Sequence, residues 1–276
     1  ALNPLLNNVI TNKAFLTSSL TAGQVIKAVS SLAGPEIVLL VVGYFGTDRW
    51  YYCFPILGII TLLSAVWLLA TSIDREKNTT SDNNLSIKGT FALLRDRTIL
   101  LLFLGIFFIV GVDVATNFIS SKLMALRFDW TDEQVKFAPQ VYFLSRTVGA
   151  LLGTFLLTRI AEVKYFQVNM VACVVSLLVL MLVENDVVNI VCIGLVGFFA
   201  SSVFSIIYSM ALQARPEKAN QISGLMITAV AGGGVVTPVI GFAIGTVGIV
   251  GGVVVTLICM LYLTYCAFGI KVVTKT

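Results

Sequence analysis

Apolar residues run in stretches of about 20, the length an α-helix needs to cross a hydrocarbon core. Eight such stretches are complete, at roughly 20–44, 51–73, 98–123, 136–158, 166–183, 187–210, 220–244 and 248–270. Each reads as a membrane-spanning helix. A short apolar start, Ala1–Leu6, reads as the cytoplasmic end of a further helix whose body is missing, since the chain begins without Met. One long polar stretch, Asp74 to Arg97, interrupts the pattern, with Arg75, Lys77, Lys88, Arg95 and Arg97 around a Ser/Asn/Thr-rich middle at Asn78–Ser86. Such a composition suits a linker. Two spans precede it and six follow. The expected fold is therefore all-α and integral to the membrane. Residues 1–73 form the remnant of an N-terminal half, 74–97 a cytoplasmic central linker, and 98–276 a complete C-terminal half of six helices.

Composition narrows the function classes. Of the 276 residues 58% are hydrophobic and only 12% charged, with a mean hydropathy of +0.96; soluble domains carry about 25% charged residues. The net charge of +4 is too small for a nucleic-acid-binding surface. There is no histidine, which removes the commonest general base and metal ligand. The five cysteines, Cys53, Cys173, Cys192, Cys259 and Cys266, lie inside apolar runs without paired spacing. They read as small buried hydrophobes rather than disulfides or a metal site. No cofactor, metal or nucleic-acid partner is expected. The partners are the lipid bilayer and a small-molecule substrate, and the protein is expected to be a monomer.

Lys and Arg set the orientation. With the linker placed in the cytoplasm, twelve of the 18 basic residues share its side, including Lys13, Arg159, Lys164, Arg215, Lys218, Lys271 and Lys275. Four lie opposite (Arg49, Lys122, Arg127 and Lys136), while the acidic residues divide evenly. Trp50, Tyr51 and Tyr52, and Trp130, fit interfacial anchoring on the outer side. The expected location is the plasma (inner) membrane, multi-pass, with a cytoplasmic C-terminus.

Ionisable side chains inside a span mark function by default, because each costs several kcal/mol unless it meets a partner or a wet cavity. Four stand out: Lys27, Glu36, Asp113 and Arg146. Gln24, Lys27 and Ser31 are spaced three and four apart and share a helical face. Two readings fit that face, a polar stripe lining a transport path or a lysine snorkelling to the cytoplasmic interface. Asp113, Thr116 and Asn117 share a face near the middle of the third span. Asp113 has apolar neighbours and no local base, so burial disfavours its charged form, which suits proton coupling or sugar hydrogen bonding. The alternative is a pair with Lys27 or Arg146 that locks two helices. Glu36, after Pro35, fits a rim carboxylate equally well, and Arg146 fits a structural role as well as a substrate contact.

Small residues supply the rest. Gly149 and Gly153 have small-xxx-small spacing. Ala231 to Gly241 contains Gly232, Gly233, Gly234 and Pro238, without the strand and Lys-Ser/Thr that a phosphate loop needs. In a membrane helix they point to close packing, with Pro238 breaking the backbone ladder, as in bendable helices that line moving interfaces. Tyr208 is a mid-span aromatic hydroxyl that suits either a sugar or a neighbouring helix.

Four stretches carry a resemblance to the fucose permease group of the Major Facilitator Superfamily, which includes bacterial glucose/galactose transporters. Ala1-Leu2-Asn3-Pro4 resembles the Ala-x-Asn-Pro that closes the family's fourth helix, and Leu20 to Gln24 its fifth-helix Leu-Asn-Leu-Ala-Gln. Gly149 to Arg159 is similar to the end of the eighth helix, and Gly232 to Phe242 to the eleventh. The stretches follow family order and spacing across the chain. The resemblance implies a twelve-helix fold of two six-helix halves, of which this chain holds the last eight helices and the end of a ninth. It implies alternating access and sugar–proton symport. Gln24 and Tyr208 match sugar-contacting positions, and Asp113 matches a seventh-helix position often occupied by Glu or Gln.

The departures are informative. Lys27 stands where the family commonly has Asn, and such a charge suits an anionic sugar acid, a sialic acid or a uronate. Ser209 replaces a common Pro. The family's coupling carboxylates, in its first and fourth helices, have no counterpart in this sequence; Asp113 is the one in-span candidate. The expected substrate-binding set is Gln24, Lys27, Asp113, Asn117 and Tyr208. An enzyme is not expected, since His, a metal cluster and a paired-carboxylate motif are all missing. A non-transporting or truncated membrane protein is the other alternative.

Overall fold

The computed structural model describes residues 13–71 and 87–270. The expected helix end at Ala1–Leu6, the Asn78–Ser86 stretch and the tail after Ile270 lie outside the described residues. Every regular element described is helical: α1 (Lys13–Phe45), α2 (Cys53–Ala70), α3 (Ile87–Ala92), α4 (Arg97–Phe128), α5 (Phe137–Leu156), α6 (Glu162–Leu182), α7 (Asp186–Ala200), α8 (Val203–Ala214), α9 (Ala219–Thr228), α10 (Gly232–Val247) and α11 (Ile249–Gly269). Chains this apolar have little choice, because in hydrocarbon a helix satisfies its own backbone groups.

Among the described residues seven segments are long and apolar enough to cross a membrane: Phe15–Phe45, Thr47–Ala70, Arg97–Phe128, Glu162–Leu182, Asp186–Ala214, Pro216–Val247 and Ile249–Gly269. The eighth expected span, 136–158, is also a helix, the 20-residue α5. Gln140, Ser145 and Arg146 lower its apolarity below the others. Two expected spans are each built from two helices. Span 187–210 is broken at Ser201–Ser202, between α7 and α8. Span 220–244 is broken by a 3-10 turn at Ala229–Ala231, between α9 and α10. That corrects the expected break at Pro238, which lies inside α10. Pro238 cannot donate to the Gly234 carbonyl, yet the helix continues, and the Thr237 hydroxyl bonds the adjacent Gly233 carbonyl at 2.7 Å.

The described chain forms two compact units. One joins α1 up to Ala28 with α3–α11; the other joins the rest of α1 with α2. In the first, α4 packs against α8, α10 and α11, α5 against α7, and α6 against α7 and α11. Buried α4 residues Ile99, Leu102, Ile106, Ile109 and Val112 recur at three- and four-residue spacing. Glycines set the closest approaches. A Cβ on Gly232 would strike the Phe107 carbonyl of α4, and one on Gly149 the Phe198 carbonyl of α7. Gly197 of α7 answers in kind, with its Cβ position 2.6 Å from the Tyr142 carbonyl. All five cysteines are buried and none is disulfide-bonded.

In the second unit α1 stops at Phe45 because Gly46 takes φ +89°, a left-handed backbone open to glycine. A 3-10 turn, Thr47–Tyr52, then leads into α2. Phe45 and Tyr52 meet edge to face at 5.2 Å across that corner, and Trp50 meets Phe54 at 5.7 Å. In α2 only Cys53 is buried. A helix that is apolar all round and exposed presents a surface suited to hydrocarbon or to another apolar segment.

Candidate functional site

Asp113 sits near the middle of α4, and three side chains converge on it. Arg146 pairs through Nη1 with Asp113 Oδ1. Tyr142 Oη donates to the same oxygen at 2.8 Å. Lys27 Nζ lies 3.9 Å from Oδ2. Tyr142 and Arg146 are four residues apart on α5 and present one face to α4. The close α5–α7 packing at Gly149 and Gly197 holds that face in place. Of the two readings of Asp113, these contacts match the pair with Lys27 or Arg146 rather than the lone carboxylate. The partners come from other helices, a proximity that local sequence does not display. Pairing also offsets the cost of placing each charge within a span.

The cluster borders a narrow cleft lined by Lys27, Asp113 and Arg146 and by the apolar Ile109, Val110, Ala200 and Phe204. The Lys27 side chain is 56% exposed and that of Arg146 9%. Arg146 is thus buried in the packing, while Lys27 is about half exposed. Two cations and one carboxylate leave this lining with a net positive charge.

The other expected site residues are placed differently. Gln24 lies one turn before Lys27, half-buried, and Asn117 one turn beyond Asp113, exposed; neither lines the cleft. Tyr208 is fully buried, and its hydroxyl shares a short hydrogen bond with Ser223 of α9. Its ring stacks on Phe204 at 5.9 Å, and Phe204 is the aromatic that lines the cleft. Sequence reasoning passed over Phe204 and Tyr142. The usable signal was spacing, since each lies four residues from a residue already singled out. Gly232 and Gly149 are packing positions, as is Gly153, whose Cβ would strike Ser202 Oγ. Gly233 is tight, with Val114 Cγ2 at 3.1 Å from its Cβ position, whereas Gly234 faces open space. Glu36, in the second unit, borders a separate shallow surface with Leu39, Leu40, Gly43 and Tyr44.

A second polar cluster was not foreseen. Thr17 Oγ1 donates to Glu162 Oε2 at 2.6 Å and shares a hydrogen bond with Ser209 Oγ at 2.6 Å. Gln213 Nε2 donates to Glu162 Oε1 at 3.2 Å and to Ser209 Oγ at 2.9 Å. Ser18 Oγ donates to the Thr154 carbonyl at 2.6 Å. These bonds tie the start of α1 to α5, α6 and α8. At the N-terminus of α4, Asp96 accepts from the Thr98 amide at 2.9 Å and from Arg215 Nη2 at 2.9 Å. The Arg215 bond, first among the causes, holds the Asp96 carboxyl below its ordinary 3.8.

With this geometry established, likeness to known proteins places the chain. Residues 10–238 match the Major Facilitator Superfamily. Two Helicobacter pylori proteins, provisionally named glucose/galactose transporters, are 31% and 30% identical over 142 residues. Each match covers 50% of this chain and 34% of the relative, so the aligned part spans about a third of those proteins' length. The crystal structure of FucP, a Major Facilitator Superfamily transporter in the outward conformation, superimposes with a TM-score of 0.76 at 18% identity, covering 97% of this chain and 71% of that one. A variant of the E. coli fucose:proton symporter FucP gives 0.78 at 19% identity, covering 97% and 72%. At such identity the structural likeness establishes the fold. The motif resemblance, the seven membrane-length apolar segments among the described residues and the matched length agree: the chain belongs to the Major Facilitator Superfamily and has its multi-pass, all-helical membrane fold.

Proposed function

We propose that the protein is a secondary active transporter that imports a monosaccharide-type substrate across the inner membrane by alternating access, coupled to protons. It works as a monomer, without catalysis, with linker and C-terminus in the cytoplasm. In this reading residues 1–73 belong to the N-terminal half, 74–97 form the linker and 98–276 the C-terminal half. The observation that carries the reading is the Lys27–Asp113–Arg146 cluster at a helix-lined cleft, at mid-span depth. A fold meant only to be stable gains little from buried ion pairs, which apolar residues replace without loss. Polar groups converging beside an apolar and aromatic lining are what a small-molecule site requires.

Lys27 and Asp113 supply the charged contacts of the site, and Phe204, backed by Tyr208, supplies an aromatic wall. Gln24 and Asn117, one turn to either side on the same two helices, extend the polar stripe. Asp113 is the candidate proton-coupling group of this chain. The glycine-rich contact of α10 with α4, and the broken spans at Ser201–Ser202 and Ala229–Ala231, supply places for helices to bend. The names of the Helicobacter and E. coli relatives support a sugar as substrate, and that of FucP supports the proton. The test is uptake of labelled monosaccharides by the full-length protein in proteoliposomes, with and without an imposed pH gradient. Accumulation that depends on the gradient is expected. Uptake that ignores it rules out proton symport, and no uptake of any sugar overturns the reading.

A further inference from the structure

A second carboxylate, Glu162, sits among hydroxyls rather than cations. Thr17 Oγ1 and Gln213 Nε2 donate to its two oxygens, and Ser209 Oγ lies 2.6 Å from Thr17 Oγ1. Thr17 has a single hydroxyl hydrogen. With Glu162 ionised that hydrogen goes to Oε2, so the Ser209 hydrogen closes the contact with Thr17. Every hydrogen of the network then points toward the carboxylate. No cation lies within ion-pair distance of Glu162 among the described residues. Arg159 and Lys164, its nearest charges along the chain, are exposed, and Tyr165 is buried one turn inward. Arg215 beyond α8 is paired with Asp96, and Arg146 of α5 with Asp113.

This network can reverse. A proton arriving from water on Oε2 makes that oxygen the donor to Thr17; the Thr17 hydrogen turns to Ser209, and the Ser209 hydrogen turns away. Ser205, four residues earlier on the same face of α8, carries a fully buried hydroxyl without a hydrogen-bond partner and stands next in line. Protonation also removes the charge, and charge-assisted hydrogen bonds are about twice as strong as neutral ones. The helix α1 depends on them, because none of the close helix–helix packings among the described residues involves it. At its start Thr17 and Ser18 supply the side-chain bonds to α5, α6 and α8. We infer that Glu162 is a proton-binding site that works as a latch: ionised, it holds the start of α1 on α6 and α8, and protonated, it lets that end of α1 go. Alternating access gives such an opening its use, so the latch rests on the transport reading for its purpose and not for its existence.

Electron–electron distance measurements on the full-length protein in lipid nanodiscs test this, with spin labels on Phe15→Cys of α1 and Val168→Cys of α6, both exposed positions. Lowering the pH from about 7.5 to about 4, across the range in which protein carboxylates titrate, should enlarge the long-distance population. The increase should be about tenfold or more, the worth of a lost charge-assisted hydrogen bond. Glu162→Gln should hold that population at its acidic level at both pH values, whereas Glu162→Asp should keep the pH response. Infrared difference spectra read the proton itself: a protonated-carboxyl band present in the parent at low pH should be missing from Glu162→Gln. Distances that ignore pH overturn the latch. A pH response that survives unchanged in Glu162→Gln, or a band that does, overturns the assignment to Glu162. If Glu162→Gln fails to fold, Thr17→Val decides instead: it should enlarge the long-distance population at neutral pH, and unchanged distances overturn the inference. None of these measurements uses a sugar, so their failure leaves the transport reading to its own uptake test.

Discussion

Tyr142 donates its hydroxyl to Asp113 Oδ1 at 2.8 Å from a fully buried position, one turn of α5 away from the Arg146 that pairs with the same oxygen. The two α5 groups act on Asp113 as a unit. Removing one charge of a buried pair costs about 3–5 kcal/mol, because the other is left unpaired. Asp113→Asn and Arg146→Gln should each lower the thermal unfolding midpoint in detergent by several degrees. The double variant should be less damaged than the sum of the two. Tyr142→Phe, which deletes one hydrogen bond and no charge, should cost about 1 kcal/mol. Strict additivity of Asp113→Asn and Arg146→Gln would show that the pair is not coupled.

Glycine positions along α10 should respond unequally. Gly232 lies against the Phe107 carbonyl, so a methyl group there forces α10 from α4, whereas Gly234 has open space. Gly232→Ala should destabilise by about 1–3 kcal/mol, the usual range for overpacking. Gly234→Ala should be neutral or slightly stabilising. Size-exclusion profiles and unfolding midpoints of the two proteins check this, and equal behaviour contradicts the close contact.

Asp96 contributes stability at neutral pH that acid removes. Its carboxyl is held below 3.8, chiefly by Arg215, so its contribution is present above the unfolded value and disappears as pH falls through the lower folded one. Asp96→Asn retains an N-cap for the Thr98 amide but loses the ion pair. The variant should lose less stability than the parent as pH is lowered from about 6 to about 3. Parallel pH profiles would contradict the assignment. The pair is solvent-exposed, so salt should shrink the difference.

The Glu162 cluster joins the start of α1 to α6 and α8 through one threonine. Thr17→Val removes the hydroxyl that reaches both Glu162 and Ser209 at 2.6 Å. It should cost about 1 kcal/mol. Adding Ser209→Ala should cost less than it does alone, because the two hydroxyls share one network. Chemical unfolding of the four proteins of the cycle checks this; fully independent effects would dissolve the network.

Phe204 and Tyr208 should separate in binding assays. Phe204 lines the cleft, and the Tyr208 hydroxyl points to Ser223. Phe204→Leu should weaken sugar affinity about tenfold, the worth of one good aromatic contact. Tyr208→Phe should change affinity much less while lowering stability. The reverse order would place the Tyr208 hydroxyl on the sugar.

The membrane fold was legible in the sequence because it follows from local chemistry. Apolar runs long enough to cross hydrocarbon must become helices, and their ends fell close to those read from composition, as at 98–123 against α4 and 248–270 against α11. The motif at Gly232 to Phe242 pointed to the superfamily without coordinates. The in-span residues Lys27, Asp113 and Arg146 were also visible, because a charge in an apolar run is conspicuous wherever its partner lies. Partnership was legible only as one of two readings. Whether Asp113 stands alone depends on how α1, α4 and α5 pack, and helix packing turns on interhelical distances that local spacing does not encode. Tertiary structure alone brought Tyr142 to Asp113 and turned Tyr208 toward Ser223, leaving Phe204 at the cleft. It also put the break of the penultimate span at Ala229–Ala231 rather than at Pro238. Sequence determines which groups are too costly to leave unpaired in a membrane; packing decides which neighbour pairs with them.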